Sequence, residues 1–253
     1  MKREYWNRVA DHYEAEIFDV LKHDRSGLVL SQIEKYGSRD RMASDLGCGI
    51  GHFFPPLSGN FGEVLAVDIS SKCIARAKAE YSHLPNVTYL TMDLATPRIP
   101  LPKTDFALSV NALIMPSLAQ RNRILDTVTK HLKIGSHFVL VVPALESALF
   151  AYSRLIEWNL RSGMKPGAAV RAGFRAHKQS ENLRLHEGIV PTGDVPTKHY
   201  LKEELIAILE RRQMTILDCL KIEYSWKTEF ISPPRWMKAP YPWDWLCVAR
   251  KTG

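Results

Sequence analysis

Three glycines at alternate positions, Gly47, Gly49 and Gly51, follow an apolar run ending in Asp45-Leu46 and precede His52-Phe53-Phe54. A backbone without Cβ atoms there can bend sharply and let a ligand approach closely. A helix starting just after the turn would aim unpaired N–H groups, and the positive end of its dipole, at whatever lies above it. Three carboxylates accompany the turn: Asp45 before the glycines, Asp68 ending Glu63-Val-Leu-Ala-Val-Asp68, and Asp93 after Val87-Thr-Tyr-Leu-Thr91. In folds of this kind a carboxylate about 20 residues past the turn takes the ribose hydroxyls. A solitary Asp at a strand end is most often a cap or turn former, but three around one glycine turn point to a nucleotide-like ligand.

The elements that must position these residues follow from periodicity. Residues 4–22 place Trp6, Val9, Tyr13, Ile17, Val20 and Leu21 on one helical face, and a second helix over 27–36 stops at Gly37. The pattern then alternates. Strands are expected at 41–46, 63–68, 87–91, 106–110 and 137–142, with helices between them, one capped by Ser70 or Ser71 and another running from Ser117 to Leu132. The last of these strands is apolar throughout, as in a sheet covered on both faces. Strand–helix alternation predicts an α/β, doubly wound, parallel sheet. From Ala144 to His199 the alternation lapses into an insertion: a helix over 145–160, a Gly- and Arg-rich stretch, then a Pro-containing loop. A helix at 202–212 and strands at 215–224 and 245–250 close the chain, dividing it into a cap (1–38), a ligand-binding core (39–143), a lid (144–199) and a C-terminal return (200–253).

Composition sets outer limits. The chain has 253 residues, 45% hydrophobic and 24% charged, enough for a substantial core. A net charge of +7 permits an anionic partner, but with no block of basic residues nucleic acid is not the expected one. Cys48, Cys73, Cys219 and Cys247 have no metal-type spacing, which suits reduced thiols and leaves no metal expected. The N-terminal stretch lacks an apolar leader core and no run is long enough to span a bilayer, so a cytoplasmic location is expected, as monomer or homodimer.

Asp45-Leu-Gly-Cys-Gly-Ile-Gly51, Val67-Asp68-Ile69, Met92-Asp93-Leu94 and Lys133-Ile-Gly before a strand together resemble the class I S-adenosylmethionine-dependent methyltransferases. The resemblance covers residues 40–143 well and 200–250 more loosely. It implies a Rossmann-like sheet of seven strands in the order 3-2-1-4-5-7-6, the last strand antiparallel. It also implies that Gly47, Cys48, Gly49 and Gly51 pass under the methionine part of S-adenosylmethionine while Asp45 meets its amino end. Asp68 would hold the ribose, Ile69 and Leu94 would meet the adenine, and Asp93 would accept from the exocyclic amine. Asn111 would stand beside the sulfonium, and Tyr13 is a candidate for the cofactor carboxylate. The product would be S-adenosylhomocysteine. A nicotinamide dinucleotide fits less well, because its fingerprint wants a glycine at the sixth position of the turn and His52 stands there.

If the last strand is antiparallel, the connection 225–244 lies on the cofactor side of the sheet. Trp226, Phe230, Trp236, Tyr241 and Trp243 are then candidates to line the acceptor pocket, where aromatic faces suit a cationic methyl donor; a plain hairpin staple is the alternative. His186 and His199 are candidate bases. Between residues 151 and 200 eight Lys and Arg face four Asp and Glu, so Arg171, Arg175 or Arg184 could clamp an anionic acceptor, or form a solvated face. Val110-Asn-Ala-Leu-Ile-Met-Pro116 lacks the Asp/Asn-Pro-Pro-aromatic signature of base and amide methylation. The expectation is methyl transfer to N, O or S of a small acceptor, with a non-catalytic S-adenosylmethionine-binding protein as the alternative.

Overall fold

The computed structural model describes residues 3–97, 99–175 (side chains to 172), 184–193 and 195–253. The chain begins with a helical cap: α1 (Arg3–Val9), a 3-10 turn, α2 (Tyr13–Glu16), α3 (Val20–His23) and α4 (Leu28–Tyr36). One amphipathic helix was expected over 4–22, and the chain instead breaks at Ile17, which is extended (φ −107°, ψ 127°). The Asp19 side chain then restarts the helix by accepting from the Lys22 N–H at 3.1 Å, the usual work of an N-cap. The break turns Tyr13, Phe18 and Asp19 toward the same cavity.

Next come β1 (Ser38–Leu46), α5 (Phe54–Asn60), β2 (Phe61–Asp68), α6 (Ser71–Glu80), β3 (Val87–Thr91), β4 (Thr104–Val110), α7 (Leu118–His131) and β5 (Leu132–Pro143). The caps fall where the sequence places them: Ser70 Oγ accepts from Cys73 N–H at 3.1 Å and Ser117 Oγ from Gln120 N–H at 3.3 Å. The remainder is α8 (Leu145–Arg161), α9 (Pro166–Arg175), β6 (Ile189–Thr192), β7 (Val195–Lys198), α10 (Lys202–Glu210), β8 (Met214–Glu223) and β9 (Trp243–Lys251).

Seven strands form one sheet in the order β3-β2-β1-β4-β5-β9-β8. The first five are parallel, and β9 runs antiparallel between β5 and β8. This is the expected order, with β8 and β9 as sixth and seventh strands of the sheet. Each face carries its own core. Phe138, Leu140 and Val142 pack on one side with Leu125, Val128 and Leu205, and Val139 and Val141 pack on the other with Phe61, Phe106 and Ile33. That two-sided burial explains the unbroken apolar run of β5.

The insertion departs from expectation twice. Its Gly- and Arg-rich part contains α9, and its Pro-containing part is a β6–β7 hairpin rather than a loop. Pro191 and Pro196 stand directly opposite each other in the two-stranded ribbon, where neither has to donate a ladder hydrogen bond. Lys198 N–H to Ile114 O (2.8 Å) and Tyr200 N–H to Pro143 O (2.8 Å) fix this hairpin over the C-terminal ends of β4 and β5. Cys219 and Cys247 face each other across β8 and β9 as thiols, with sulfurs 2.8 Å apart. Among the described residues no helix is long and apolar enough to cross a membrane.

Candidate functional site

The C-terminal ends of β1, β2, β4 and β5 border one cavity of about 730 Å³, roofed by the N-terminal cap, the insertion and the β8–β9 connection. Its floor is the glycine turn. Gly47 and Cys48 donate their N–H groups to Val67 O at 2.8 and 3.1 Å, which pins the turn to the end of β2. Gly47 has φ +83°, and a Cβ there would collide with the Ala112 side chain. Gly49 has φ +55°, and a Cβ there would collide with the Tyr13 hydroxyl, which lies over the turn. Only glycine fits at position 47, and at position 49 the positive φ favours glycine while a side chain would have to displace the Tyr13 hydroxyl.

Gly49 also donates its N–H to Asp68 Oδ2 (2.9 Å), while Ser70 N–H reaches Asp68 Oδ1 (2.7 Å). Both carboxylate oxygens are thereby held by backbone, and each keeps a lone pair for a further donor. Burial raises the Asp68 carboxyl, against the lowering effect of the N–H groups of Ser70, Gly49 and Ile69. Asp45 has no such help. It is 2% exposed, its Oδ2 has no hydrogen-bond partner, and burial, reinforced by the charge of Asp68, pushes it up to about 8. A buried acid of this kind is costly unless something cationic is brought to it. Tyr13 is likewise pushed well upward, by burial first and then by Asp68.

Further round the rim, Asp93 Oδ1 accepts from Ala95 N–H at 2.8 Å, and Met92 N–H donates to Asp68 O at 2.8 Å, so the ends of β2 and β3 are tied together. Asn111 follows β4 with φ +53°, and its buried Oδ1 has no partner. A left-handed asparagine with an unsatisfied oxygen over a cavity is strain of the sort kept at functional sites. Ile69 and Leu94 complete this side. Of the cofactor residues expected from sequence, Tyr13, Asp45, Gly47, Cys48, Gly49, Asp68, Ile69, Asp93, Leu94 and Asn111 line the cavity. Gly51 sits behind the turn, against the Phe54 ring.

The residues expected for the acceptor divide differently. Trp243 and His199 line the cavity. Burial lowers His199 to about 4, and its Nδ1 lies 3.1 Å from Thr197 O; that carbonyl can only accept, so the neutral ring presents its Nε2 lone pair elsewhere. His186 is exposed beside Glu187, away from the cavity lining. Trp226 is buried, donates to Lys238 O (3.1 Å) and stacks on Phe230, their centroids 5.6 Å apart. Trp236 packs against the guanidinium groups of Arg154 and Arg161 at 5.1 and 4.2 Å. These three, with Tyr241, do not line the cavity; the first three staple the connection to α8 instead. Arg171 and Arg184 are exposed and do not line it, and the Arg175 side chain lies outside the described residues.

Sequence reasoning missed Phe18, Tyr224, Glu229 and Asp244, all of which line the cavity. Tyr224 donates its hydroxyl to Asp244 Oδ2 at 3.0 Å and meets Phe18 edge-on, centroids 4.7 Å apart. Asp244, the second residue of β9, stands opposite Pro143 at the C-terminal end of β5, and burial raises it to about 7. The available signal was that Glu229 and Asp244 are the only acids in a connection otherwise carrying Lys227, Arg235 and Lys238.

Residues 43–135 match the family described as a methyltransferase domain. Similar solved structures extend over nearly the whole chain. A S-adenosylmethionine-dependent methyltransferase from Methanosarcina mazei is 17% identical, with a TM-score of 0.62 over 87% of this chain and 97% of that one. The N-methyltransferase NodS from Bradyrhizobium japonicum, solved with S-adenosylhomocysteine, is 12% identical, with a TM-score of 0.61 over 99% and 98%. Magnesium protoporphyrin IX methyltransferase from Synechocystis, solved with bound S-adenosylmethionine, is 15% identical, with a TM-score of 0.60 over 99% and 95%. At these identities the likeness is one of fold. No curated protein sequence matches the chain.

Proposed function

We propose that this chain, which has the Rossmann-like fold of the class I S-adenosylmethionine-dependent methyltransferases and matches a methyltransferase-domain family over residues 43–135, moves a methyl group from S-adenosylmethionine to a small acceptor held in the same cavity. The observation that carries the reading is the pair of backbone-held Asp68 oxygens facing a glycine turn whose Gly47 has no room for a Cβ. The cofactor also fits the orphaned groups: its ammonium suits buried Asp45, and Asn111 Oδ1 awaits a donor.

When bound, the cofactor supplies a methyl group on a sulfonium, an electrophile whose leaving group is a neutral thioether. The residues of this chain bind and orient. Asp68 takes the ribose hydroxyls, Asp93 accepts from the adenine amine, and Ile69 and Leu94 cover the ring. Gly47, Cys48 and Gly49 let the methionine part lie against backbone, with Asp45 and Tyr13 at its charged end. The cavity continues past these groups to Phe18, Tyr224 and Trp243, an aromatic wall against which an acceptor can be aligned for in-line attack. Alignment of this sort is worth an effective molarity on the order of 10⁵ M or more. That second compartment favours an enzyme over a protein that only binds the cofactor.

The test is incubation with methyl-labelled S-adenosylmethionine and a mixed panel of amines, phenols, thiols and carboxylates, read by mass spectrometry. Label should appear on one acceptor class with matching formation of S-adenosylhomocysteine. Cofactor binding without transfer to any member would overturn the catalytic part of the reading.

A further inference from the structure

The chain contains 34 Lys and Arg, yet among the described residues none lines the cavity. Carboxylates do: Asp45, Asp68 and Asp93 on the cofactor side, and Glu16, Asp19, Glu229 and Asp244 beyond it. Asp19 already has partners, in His52 Nδ1 at 3.4 Å and the Lys22 N–H. Asp244 is nine-tenths buried. Tyr224 satisfies one of its oxygens, and no group among the described residues hydrogen-bonds the other. Glu229 is exposed and lines the same cavity, and the protein packed around it still raises its carboxyl. Glu229 and Asp244 line the same cavity, and charge on Glu229 pushes Asp244 further up. Two carboxylates that repel, with no counter-cation, are stabilised by a cationic guest and destabilised by an anionic one. Phe18 and Tyr224 add aromatic walls of the type that accept a cation, whereas the Trp243 ring already carries the Lys221 ammonium 3.6 Å from its centroid.

We propose that the methyl acceptor is a small amine, cationic in water, whose nitrogen is held by Glu229 and Asp244 within the aromatic walls of the cavity. This rests on reading the floor of the same cavity as the S-adenosylmethionine site. Among the described residues the anion clamp suggested by the basic insertion has no counterpart here, because Arg171 and Arg184 lie outside the lining. The proton balance also favours these residues. The bound ammonium gives a proton to one of the two carboxylates, and the freed nitrogen lone pair forms the new N–C bond. The C–S bond breaks with its electron pair left on sulfur, the positive charge passes to nitrogen, and the carboxyl returns its proton to water.

The experiment is calorimetry on the protein saturated with S-adenosylhomocysteine. The probes are phenethylamine, putrescine and ethanolamine, against 2-phenylethanol, 1,4-butanediol and 3-phenylpropionate. At least one amine should bind tenfold or more tighter than its uncharged or anionic counterpart. Glu229→Gln should cost that amine at least tenfold while S-adenosylhomocysteine affinity, which also reports folding, stays within twofold. Asp244→Asn should act in the same direction. The inference is overturned if 3-phenylpropionate outcompetes the amines, if no amine binds, or if both variants leave amine binding unchanged. Failure of S-adenosylhomocysteine itself to bind is a separate result that removes the cofactor reading underneath.

Discussion

Asp45 shows how a single residue can tie the site to the behaviour of the protein in solution. Unfolded, its carboxyl ionises near ~4, whereas the native state without ligand holds the proton up to about 8. Between those values the native state binds more protons than the unfolded one. The stability contribution is therefore fully present below the unfolded value and lost as pH rises through the folded one. Asp244, raised to about 7, acts in the same sense. The melting midpoint of the ligand-free protein should fall as pH rises from about 5 to about 8.5, and Asp45→Asn should make that slope shallower. Differential scanning fluorimetry across the range checks it; a variant slope equal to the native one would mean that Asp45 is not held protonated. Asp45 was legible as a cavity residue because it stands with Asp68 and Asp93 around one glycine turn. Glu229 and Asp244 were not readable in that way. Each stands alone in a long aromatic connection, and they share a wall only because β9 inserts between β5 and β8.

At the scale of elements, the glycine turn was legible because its backbone demands are local. Gly47 has to bend the chain and also admit Ala112, and both requirements are met within a few residues of sequence and one neighbouring loop. Gly47→Ala should cost roughly 1–3 kcal/mol in strain and abolish cofactor binding through the displaced turn. Gly27→Ala is the matched control: φ is also positive there, at +62°, but nothing lies within 4 Å of the added Cβ. It should cost stability and spare binding. Chemical denaturation paired with a binding assay separates the two, and equal binding by both variants would contradict the steric account. Other elements hid their nature. The N-terminal periodicity runs on through the break at Ile17, while Arg76 and Lys72 of α6 hold the segment before it, Arg76 at Ala10 O and Glu14 and Lys72 at Asp11, 2.8 Å away. The β6–β7 hairpin carries a proline in each strand, a pattern that argues against strands until the two prolines are seen facing each other.

For the whole molecule, a basic chain encloses an acidic cavity. Among the described residues no Lys or Arg lines the site, while the carboxylates collect where the β-strand ends, the cap and the C-terminal connection converge. Overall charge pointed toward an anionic partner; the cavity lining points the other way, because topology rather than composition decides which side chains share an interior. The claim on which everything else depends is that the floor of this cavity holds the adenosyl and amino-acid parts of S-adenosylmethionine, with Asp68 at its centre. Isothermal titration of S-adenosylhomocysteine into the native protein and Asp68→Ala tests it most directly. Charge-assisted hydrogen bonds contribute about 1.5–3 kcal/mol each, so the native protein should bind one ligand per chain and the folded variant at least about tenfold more weakly. No binding of either S-adenosylmethionine or S-adenosylhomocysteine to the native protein, or equal affinity in Asp68→Ala, would contradict the account.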